Sequence, residues 1–244
     1  MPKMLSVILP TYNEKENIAL LIPKIQETFS KNRINGEVVV VDDSSPDGTA
    51  SFARELAKKL GNIRVIERPK KEGLGAALRQ AYDSCESELI LSMDSDMSLD
   101  PNDIPRFIEK INEGYDLVVG SRRGAKASYE VGSVKTLVKK IISTVGNRMI
   151  RLLLDLPVND FSLNFRVIRR DAWRALKTKE KLYVFLLEMI MQAHAKGYKI
   201  SSIQVVFKDR MYGRTKTKLL QQCMAFLKNL LIFTWKYRIR RSSD

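Results

Sequence analysis

The 244-residue sequence has few cysteines, a single histidine and no long apolar run. Cys85 and Cys223 are far apart and lack the spacing of a metal site, and no signal peptide precedes them, so we expect reduced thiols in a cytosolic protein. No apolar stretch reaches the roughly 18 residues that a bilayer span needs. The histidine, His194, lies between alanines in a helical stretch, and we expect it to be structural.

Acidic residues are too few to balance the basic ones. The net charge is +14 and the pI is about 9.8, which calls for an anionic partner such as nucleic acid, anionic lipid or a phosphorylated substrate. The excess lies late in the chain, where residues 208–241 hold ten Lys or Arg and one acidic residue, Asp209. These basic residues alternate with aliphatic rather than aromatic stripes, so nucleic acid is not the expected partner.

Short apolar runs alternate with helical patterns over the first 120 residues. This alternation predicts an α/β fold with a mostly parallel sheet flanked by helices and joined by right-handed crossovers. The predicted strands are Leu5–Leu9, Glu37–Val41, Arg64–Glu67, Glu88–Met93 and Asp116–Gly120.

Polar clusters follow four of the predicted strands at the point where each strand ends. The carboxyl ends of parallel strands meet at one edge of a sheet, where α/β proteins bind their ligands. The sequence therefore predicts one binding site at this edge. The clusters are residues 10–14, Asp42-Asp43, Asp94-Ser95-Asp96 and Ser121-Arg122.

The Asp94-Ser95-Asp96 cluster has the chemistry of a metal site. Two carboxylates two residues apart at a strand end can reach one hard divalent cation, Mg²⁺ or Mn²⁺, which keeps positions for phosphate oxygens. A solvated turn with helix-capping aspartates is the alternative, but the position at the sheet edge favours the metal.

Two further clusters are candidates for nucleotide binding. Asp42 and Asp43 could accept hydrogen bonds from a base or a ribose, or merely cap the turn at residues 44–48. Gly73-Leu74-Gly75 opens a helix and could approach phosphate, but a lone Gly-x-Gly is weak evidence for phosphate binding. The motif does not directly follow a predicted strand and no acidic residue stands at dinucleotide-binding distance, so we do not expect a nicotinamide cofactor site.

Basic amphipathic helices are predicted in the second half. Val134–Leu153 and Leu219–Trp235 each set an apolar stripe against Lys and Arg, as in helices that lie in a membrane interface, although packing on the sheet is the alternative. We expect a catalytic domain over residues 1–216, including the first of these helices, and an amphipathic helix with a basic tail over 217–244.

Several motifs in fixed order carry a resemblance over almost the whole chain. Together they resemble family 2 glycosyltransferases of the GT-A fold and, within them, dolichol-phosphate mannose synthases and other polyprenyl-phosphate glycosyltransferases. The motifs are Leu9-Pro10-Thr11-Tyr12-Asn13-Glu14, Val41-Asp42-Asp43-Ser44-Ser45, Gly73-Leu74-Gly75, Met93-Asp94-Ser95-Asp96, Gly120-Ser121-Arg122, Asp160-Phe161-Ser162-Leu163-Asn164-Phe165-Arg166, Phe185-Leu186-Leu187-Glu188 and residues 208–216.

The resemblance implies a role for each matching residue. Asp94 and Asp96 would hold the metal on the diphosphate, with Asp96 counted among the catalytic residues. Arg122 would lie near the diphosphate or the acceptor phosphate, and Glu188 close to the sugar and metal as a catalytic residue. Arg210 and Lys216 would bind phosphate and take part in catalysis. The base and ribose would be held by Pro10, Tyr12, Glu14, Asp42 and Asp43.

The implied activity is inverting, metal-dependent transfer of a sugar from GDP-mannose or a UDP-hexose to a polyprenyl or dolichyl phosphate. An anionic acceptor needs no general base, whereas a hydroxyl acceptor would require Glu188 or Asp160 to take the proton. The alternatives are a hydroxyl acceptor on a glycan or glycolipid, or an inactive sugar-nucleotide binder. We expect peripheral binding to an anionic membrane on its cytosolic face, directly or through a small membrane-protein partner.

Overall fold

The structure, a computed structural model, describes residues 4–122 and 156–208. Both predicted amphipathic helices lie outside the described residues, and so do Arg210 and Lys216. Within the described ranges, no helix is both long enough and apolar enough to cross a membrane.

The described chain alternates strands with helices, as the sequence predicts. Apolar residues at every third or fourth position give each helix one buried side, as in α1, where Ile18, Leu21, Ile22 and Ile25 are buried. The elements are β1 (Leu5–Thr11), α1 (Lys15–Lys31), β2 (Gly36–Asp42), α2 (Thr49–Leu60), β3 (Ile63–Glu67), α3 (Leu74–Asp83), β4 (Leu89–Met93), a 3-10 turn (Pro101–Asp103), α4 (Ile104–Asn112), β5 (Leu117–Ser121), β6 (Phe165–Arg169), α5 (Arg170–Ala175), α6 (Val184–Ala195) and β7 (Ile200–Gln204).

The strands form a seven-stranded sheet in the order β3-β2-β1-β4-β6-β5-β7. β6 alone among them is antiparallel to its neighbours, β4 and β5, so the prediction of a mostly parallel α/β sheet is confirmed. Because Phe165 at the start of β6 pairs with Met93 at the end of β4, the residues before β6 lie at the carboxyl edge.

Helices cover both faces of the sheet. Alternate residues of β2 point to opposite faces, so that Val38 and Val40 belong to one apolar cluster and Val39 and Val41 to the other. The first cluster includes residues of α1, α2 and α4, and the second includes residues of α3, α5 and α6. Strands buried on both faces explain the nearly continuous apolar runs in the sequence.

Candidate active site

The Asp94-Ser95-Asp96 loop leaves the end of β4 and is fixed to the end of β1. Ser95 Oγ donates to the carbonyl oxygen of Pro10 over 2.9 Å. Asp96 is 6% exposed, and its Oδ1 accepts from the backbone N–H of Ser98 at 3.1 Å. Met97 has a positive φ of 63°, which turns the chain sharply after the loop. Two carboxylates are thereby held at the carboxyl edge.

A buried chain of hydrogen bonds orients Asp94. Asn164 Nδ2 donates to Asp94 Oδ1 at 3.2 Å, and Asn164 Oδ1 accepts from Ser92 Oγ at 2.6 Å. Tyr82 OH lies 3.0 Å from Ser92 Oγ, and burial raises the pKa of Tyr82 to about 12, so its hydroxyl stays protonated. The sequence motifs did not assign a role to Asn164. Asn164 directly precedes β6, and only the pairing of β6 with β4 brings it next to Asp94.

The ligand chemistry of this loop fits a divalent cation. Within residues 4–122 and 156–208 no cluster of three or more His, Cys, Asp or Glu side chains could enclose a metal. Asp94 and Asp96 could offer two carboxylates to a cation from one short loop. Such an open pair suits Mg²⁺ or Mn²⁺, which binds through one or two carboxylates together with substrate phosphates.

Asp42 is fully buried at the end of β2 and organises the turn that follows. Its Oδ1 accepts from Thr11 Oγ1 at 2.8 Å and from Ser45 Oγ at 2.6 Å, and its Oδ2 accepts from the Ser45 N–H at 2.8 Å. These bonds join the ends of β1 and β2 into one surface. They correspond to the turn-capping alternative, and a contact of Asp42 with nucleotide stays a prediction.

Asp43 forms an ion pair with Arg68, which is buried after β3. Burial is the largest influence on Asp43 and raises its pKa, although the Arg68 guanidinium works against it. Arg68 also donates to Gln80 Oε1 and Glu72 Oε2, each at 3.0 Å. Arg68 therefore ties Asp43 to the loop between β3 and α3.

The other three predicted nucleotide residues lie at the end of β1, in the case of Pro10, and in the turn that follows it, in the case of Tyr12 and Glu14. Tyr12 is partly exposed, and the Nζ of Lys71 lies 3.6 Å from the centroid of its ring. Glu14 accepts from Asn17 Nδ2 at 2.6 Å, and Pro10 contributes its carbonyl to Ser95. No sequence motif identifies Lys71 as a candidate site residue. Only tertiary contact shows that the loop before Gly73 reaches Tyr12.

Arg122 and Asp160 form a two-point ion pair at the same edge, after β5. Arg122 Nε lies 2.8 Å from Asp160 Oδ2, and Arg122 Nη2 lies 3.0 Å from Asp160 Oδ1 and 2.8 Å from Ser162 Oγ. Burial acts to raise the pKa of Asp160, but the charge and hydrogen bonds of Arg122 outweigh it and hold that pKa below its ordinary value. Asp160 is therefore a poor proton acceptor, and Arg122 is held in place.

Glu188 lies on α6, and its carboxylate faces residues 177–181. Its oxygens accept from the backbone N–H groups of Lys179 and Glu180 at 2.9 to 3.1 Å and from Gln192 Nε2 at 3.1 Å. These hydrogen bonds do not involve the Asp94 loop. A direct catalytic role for Glu188 therefore stays a prediction.

The glycines of Gly73-Leu74-Gly75 are explained by packing. A Cβ on Gly73, whose φ is +109°, would lie 2.5 Å from the Lys181 carbonyl oxygen, and one on Gly75 would lie 2.5 Å from Phe185 Cβ. Residues 180–185 thus occupy the space beside this turn. The requirement for glycine comes from that contact and gives no support to phosphate binding.

Arg166 is fully buried in β6 and fixes the chain that precedes this strand. It donates to the carbonyl oxygens of Leu163 at 2.6 Å and Leu186 at 2.7 Å. Burial lowers its pKa to about 10, so the guanidinium remains charged at neutral pH. Arg166 thereby holds the segment that carries Asp160 and Asn164 against α6.

A mostly parallel sheet with an Asp-Ser-Asp loop at the carboxyl edge of a central strand defines the chain as a glycosyltransferase of GT-A type. The sequence pattern described as Glycosyl transferase family 2 matches residues 6–176. The chain belongs to this family, and the recognition made from its motifs is confirmed.

Two bacterial relatives cover most of the chain. The undecaprenyl-phosphate mannosyltransferase of Micrococcus luteus is 31% identical over 223 residues, which cover 86% of this chain and 85% of the relative. The polyprenol monophosphomannose synthase of Mycolicibacterium smegmatis is 30% identical over 222 residues, covering 86% and 79%.

Solved structures of glucosyl-3-phosphoglycerate synthase from Mycobacterium tuberculosis share the fold. The complex with UDP superimposes with a TM-score of 0.71 at 18% identity, covering 95% of this chain and 80% of that one. The complex with Mn²⁺, UDP-glucose and phosphoglyceric acid gives a TM-score of 0.69 at 18% identity, covering 96% and 79%. At this identity the likeness establishes the fold.

Proposed function

We propose that this glycosyltransferase transfers a sugar, with inversion, from a nucleotide diphosphate to a polyprenyl phosphate. The observation that carries the proposal is the acidic loop at the carboxyl edge, in a chain whose relatives are named for mannose transfer to polyprenyl phosphates. The relatives' names favour mannose and therefore GDP-mannose. A UDP-hexose remains the second candidate donor, since UDP and UDP-glucose are bound by proteins of the same fold.

Charge on the donor diphosphate would be met by a metal and by basic residues. Asp94 and Asp96 would hold Mg²⁺ or Mn²⁺, which neutralises charge on the leaving diphosphate. Arg210 and Lys216 would bind phosphate and stabilise the same charge. Tyr12 and Asp43, with Pro10, Glu14 and Asp42 around them, would hold the base and ribose.

The acceptor would be a phosphate because the carboxyl edge of the sheet holds a fixed cation, Arg122, next to a carboxylate, Asp160, that is a poor proton acceptor. Arg122 is held at this edge by Asp160 and Ser162, and its positive charge would lie near an acceptor phosphate. Asp160 has a lowered pKa and is engaged with Arg122. A lipid phosphate is already anionic and attacks the sugar without losing a proton, whereas a hydroxyl acceptor would need a base.

The acceptor places the reaction at a membrane, on the cytosolic face where nucleotide sugars would reach it. We propose that residues 1–216 form the catalytic domain and that residues 134–153 and 217–244 bind the anionic surface. Their basic amphipathic sequences suit this contact. A small membrane-protein partner would be a second means of attachment.

Transfer to defined acceptors tests the proposal. The full chain would be incubated with radiolabelled GDP-mannose, GDP-glucose, UDP-glucose or UDP-galactose and with vesicles containing polyprenyl phosphate or the matching polyprenol. We expect label in the lipid fraction with polyprenyl phosphate, Mn²⁺ or Mg²⁺ and one preferred donor. Equal transfer to polyprenol would favour a hydroxyl acceptor. Donor binding without transfer to either lipid would favour an inactive binder.

A further inference from the structure

Residues 177–181, which we call the strap, are held by two side chains of α6. Gln192 bonds Lys177 twice, accepting from its N–H at 2.7 Å and donating to its carbonyl at 3.0 Å. Glu188 accepts from the N–H groups of Lys179 and Glu180, with Oε2 at 2.9 Å from each. The strap has neither helix nor strand structure, and three of its backbone N–H groups and one of its carbonyls form hydrogen bonds with side chains of α6.

The other side of the strap holds the start of α3. The Lys181 carbonyl accepts from the Ala76 N–H at 3.1 Å. The carbonyls of Thr178 and Glu180 each accept from Arg79 Nη1 at 3.2 Å. The strap therefore connects the two helices: its N–H groups and the Lys177 carbonyl bond α6, and three other carbonyls, those of Thr178, Glu180 and Lys181, bond α3.

Contacts of the strap extend to residues of the proposed donor site. Lys181 Nζ lies 3.2 Å from Glu72 Oε1, while Glu72 Oε2 accepts from Arg68, the partner of Asp43. The same loop, residues 68–73, carries Lys71 over Tyr12. α3 starts after parallel strand β3 and α6 ends before parallel strand β7, so both helices begin at the carboxyl edge.

We propose that Glu188 is a positioning residue for donor binding. Its carboxylate fixes the strap, and the strap fixes the loop that carries Arg68 and Lys71. Glu188 is 4% exposed, and both of its oxygens already accept from N–H groups. A substrate hydroxyl would reach them only by breaking the strap's own bonds, so Glu188 does not take the proton. The inference rests on the proposed use of a nucleotide-sugar donor.

Removing the carboxylate tests the positioning role. Glu188→Ala leaves two partly buried backbone N–H groups without their acceptor, so we expect the strap and the loop beside it to shift. We expect the KM and the Kd for the preferred nucleotide sugar to rise about tenfold, with a smaller fall in kcat. The pH profile of kcat/KM should keep its wild-type shape, because no proton acceptor has been lost.

A side-chain exchange separates position from chemistry. The double variant combines Glu188→Gln with Gln192→Glu. The amide oxygen at position 188 then accepts from the backbone N–H groups of the strap, and the amide NH₂ at 188 donates to the carboxylate at 192. That carboxylate accepts from the backbone N–H of Lys177. The bond to the Lys177 carbonyl is lost, and so is the longer of the two bonds from the Lys179 N–H, while the shorter one to the other oxygen position is kept. We expect donor affinity and kcat to recover to within about threefold of wild type. A catalytic base at 188 would leave this variant as inactive as Glu188→Ala.

Gly75→Ala perturbs the strap from the opposite side and leaves Glu188 intact. Its methyl would lie 2.7 Å from the Glu180 carbonyl, so we expect the same weakening of donor binding. Thermal unfolding identifies any variant that does not fold. The proposal is overturned if folded Glu188→Ala or folded Gly75→Ala binds the donor with the wild-type Kd. It is also overturned if the double variant does not restore the kcat that Glu188→Ala loses. Donor Kd is measured without acceptor, so failure of the proposed lipid acceptor would not affect this result.

Discussion

Asn164 Nδ2 donates to Asp94 Oδ1 at 3.2 Å, so a residue before β6 orients a carboxylate at the end of β4. Asn164 is itself fixed by Ser92 through a bond of 2.6 Å. Because side chains that orient metal ligands affect metal affinity by roughly 10- to 100-fold, we expect Asn164→Ala to raise the Mn²⁺ concentration for half-maximal activity by at least about tenfold.

A manganese titration of activity at saturating donor measures the effect of Asn164→Ala. Asn62→Ala is a matched control, since Asn62 bonds Gln26 and the Gly36 carbonyl away from the acidic loop. The control should show the wild-type manganese dependence. An unchanged dependence in Asn164→Ala would mean that Asn164 does not orient a metal ligand.

Asp96→Asn should reduce transfer by roughly 100- to 1,000-fold, because the proposed metal would lose an anionic ligand beside the developing charge. The fold should be retained, since an asparagine oxygen can still accept from the Ser98 N–H. The measurement is initial rate with Mn²⁺ at saturating donor. Asp100→Asn provides the control, because Asp100 caps the 3-10 turn and asparagine caps equally well. Full activity in Asp96→Asn would remove Asp96 from the metal site.

Asp160→Asn should destabilise the protein by about 3 kcal/mol at pH 7, because Arg122 would lose its charged partner in a site where Asp160 is 1% exposed. The pKa of Asp160 is lowered by folding, so its contribution is present above the unfolded pKa of about 4 and is lost as pH falls through the lower folded value.

Urea unfolding of wild type and Asp160→Asn across the acid range measures that difference. The gap in the free energy of unfolding should narrow as pH falls. The exposed ion pair of Arg54 and Glu67 is the control, and Glu67→Gln should change stability by less than about 1 kcal/mol. A gap that stays constant with pH would show that the Asp160 charge does not stabilise the fold.

Lys71→Ala should raise the KM for the nucleotide sugar by roughly two- to fivefold and leave kcat nearly unchanged. The loss of a cation over the Tyr12 ring is expected to cost about 0.5 to 1 kcal/mol at this exposed position. Lys70→Ala is the matched control, since the neighbouring Lys70 side chain is 72% exposed and lies 3.8 Å from Glu72. Equal effects of both substitutions would indicate general charge attraction rather than a contact at Tyr12.

Local sequence patterns are sufficient to predict the α/β architecture and the edge of the sheet where the site forms. Alternating apolar runs such as Val38–Val41 and helical patterns such as that of α1 are local signals, and parallel pairing brings the carboxyl ends of strands together. Asp94 and Asp96 could therefore be predicted as candidate site residues, because they directly follow the buried strand β4.

The contacts between polar side chains, in contrast, depend on the tertiary structure. Asn164 meets Asp94, Arg122 meets Asp160, and Lys71 meets Tyr12 across large separations in sequence. The sequence motif predicts a catalytic role for Glu188, whereas in the structure the Glu188 carboxylate accepts hydrogen bonds from the strap. Strand and helix periodicity show which face of an element is buried. The partner of a polar group depends on how distant loops meet at the sheet edge, which no local pattern encodes.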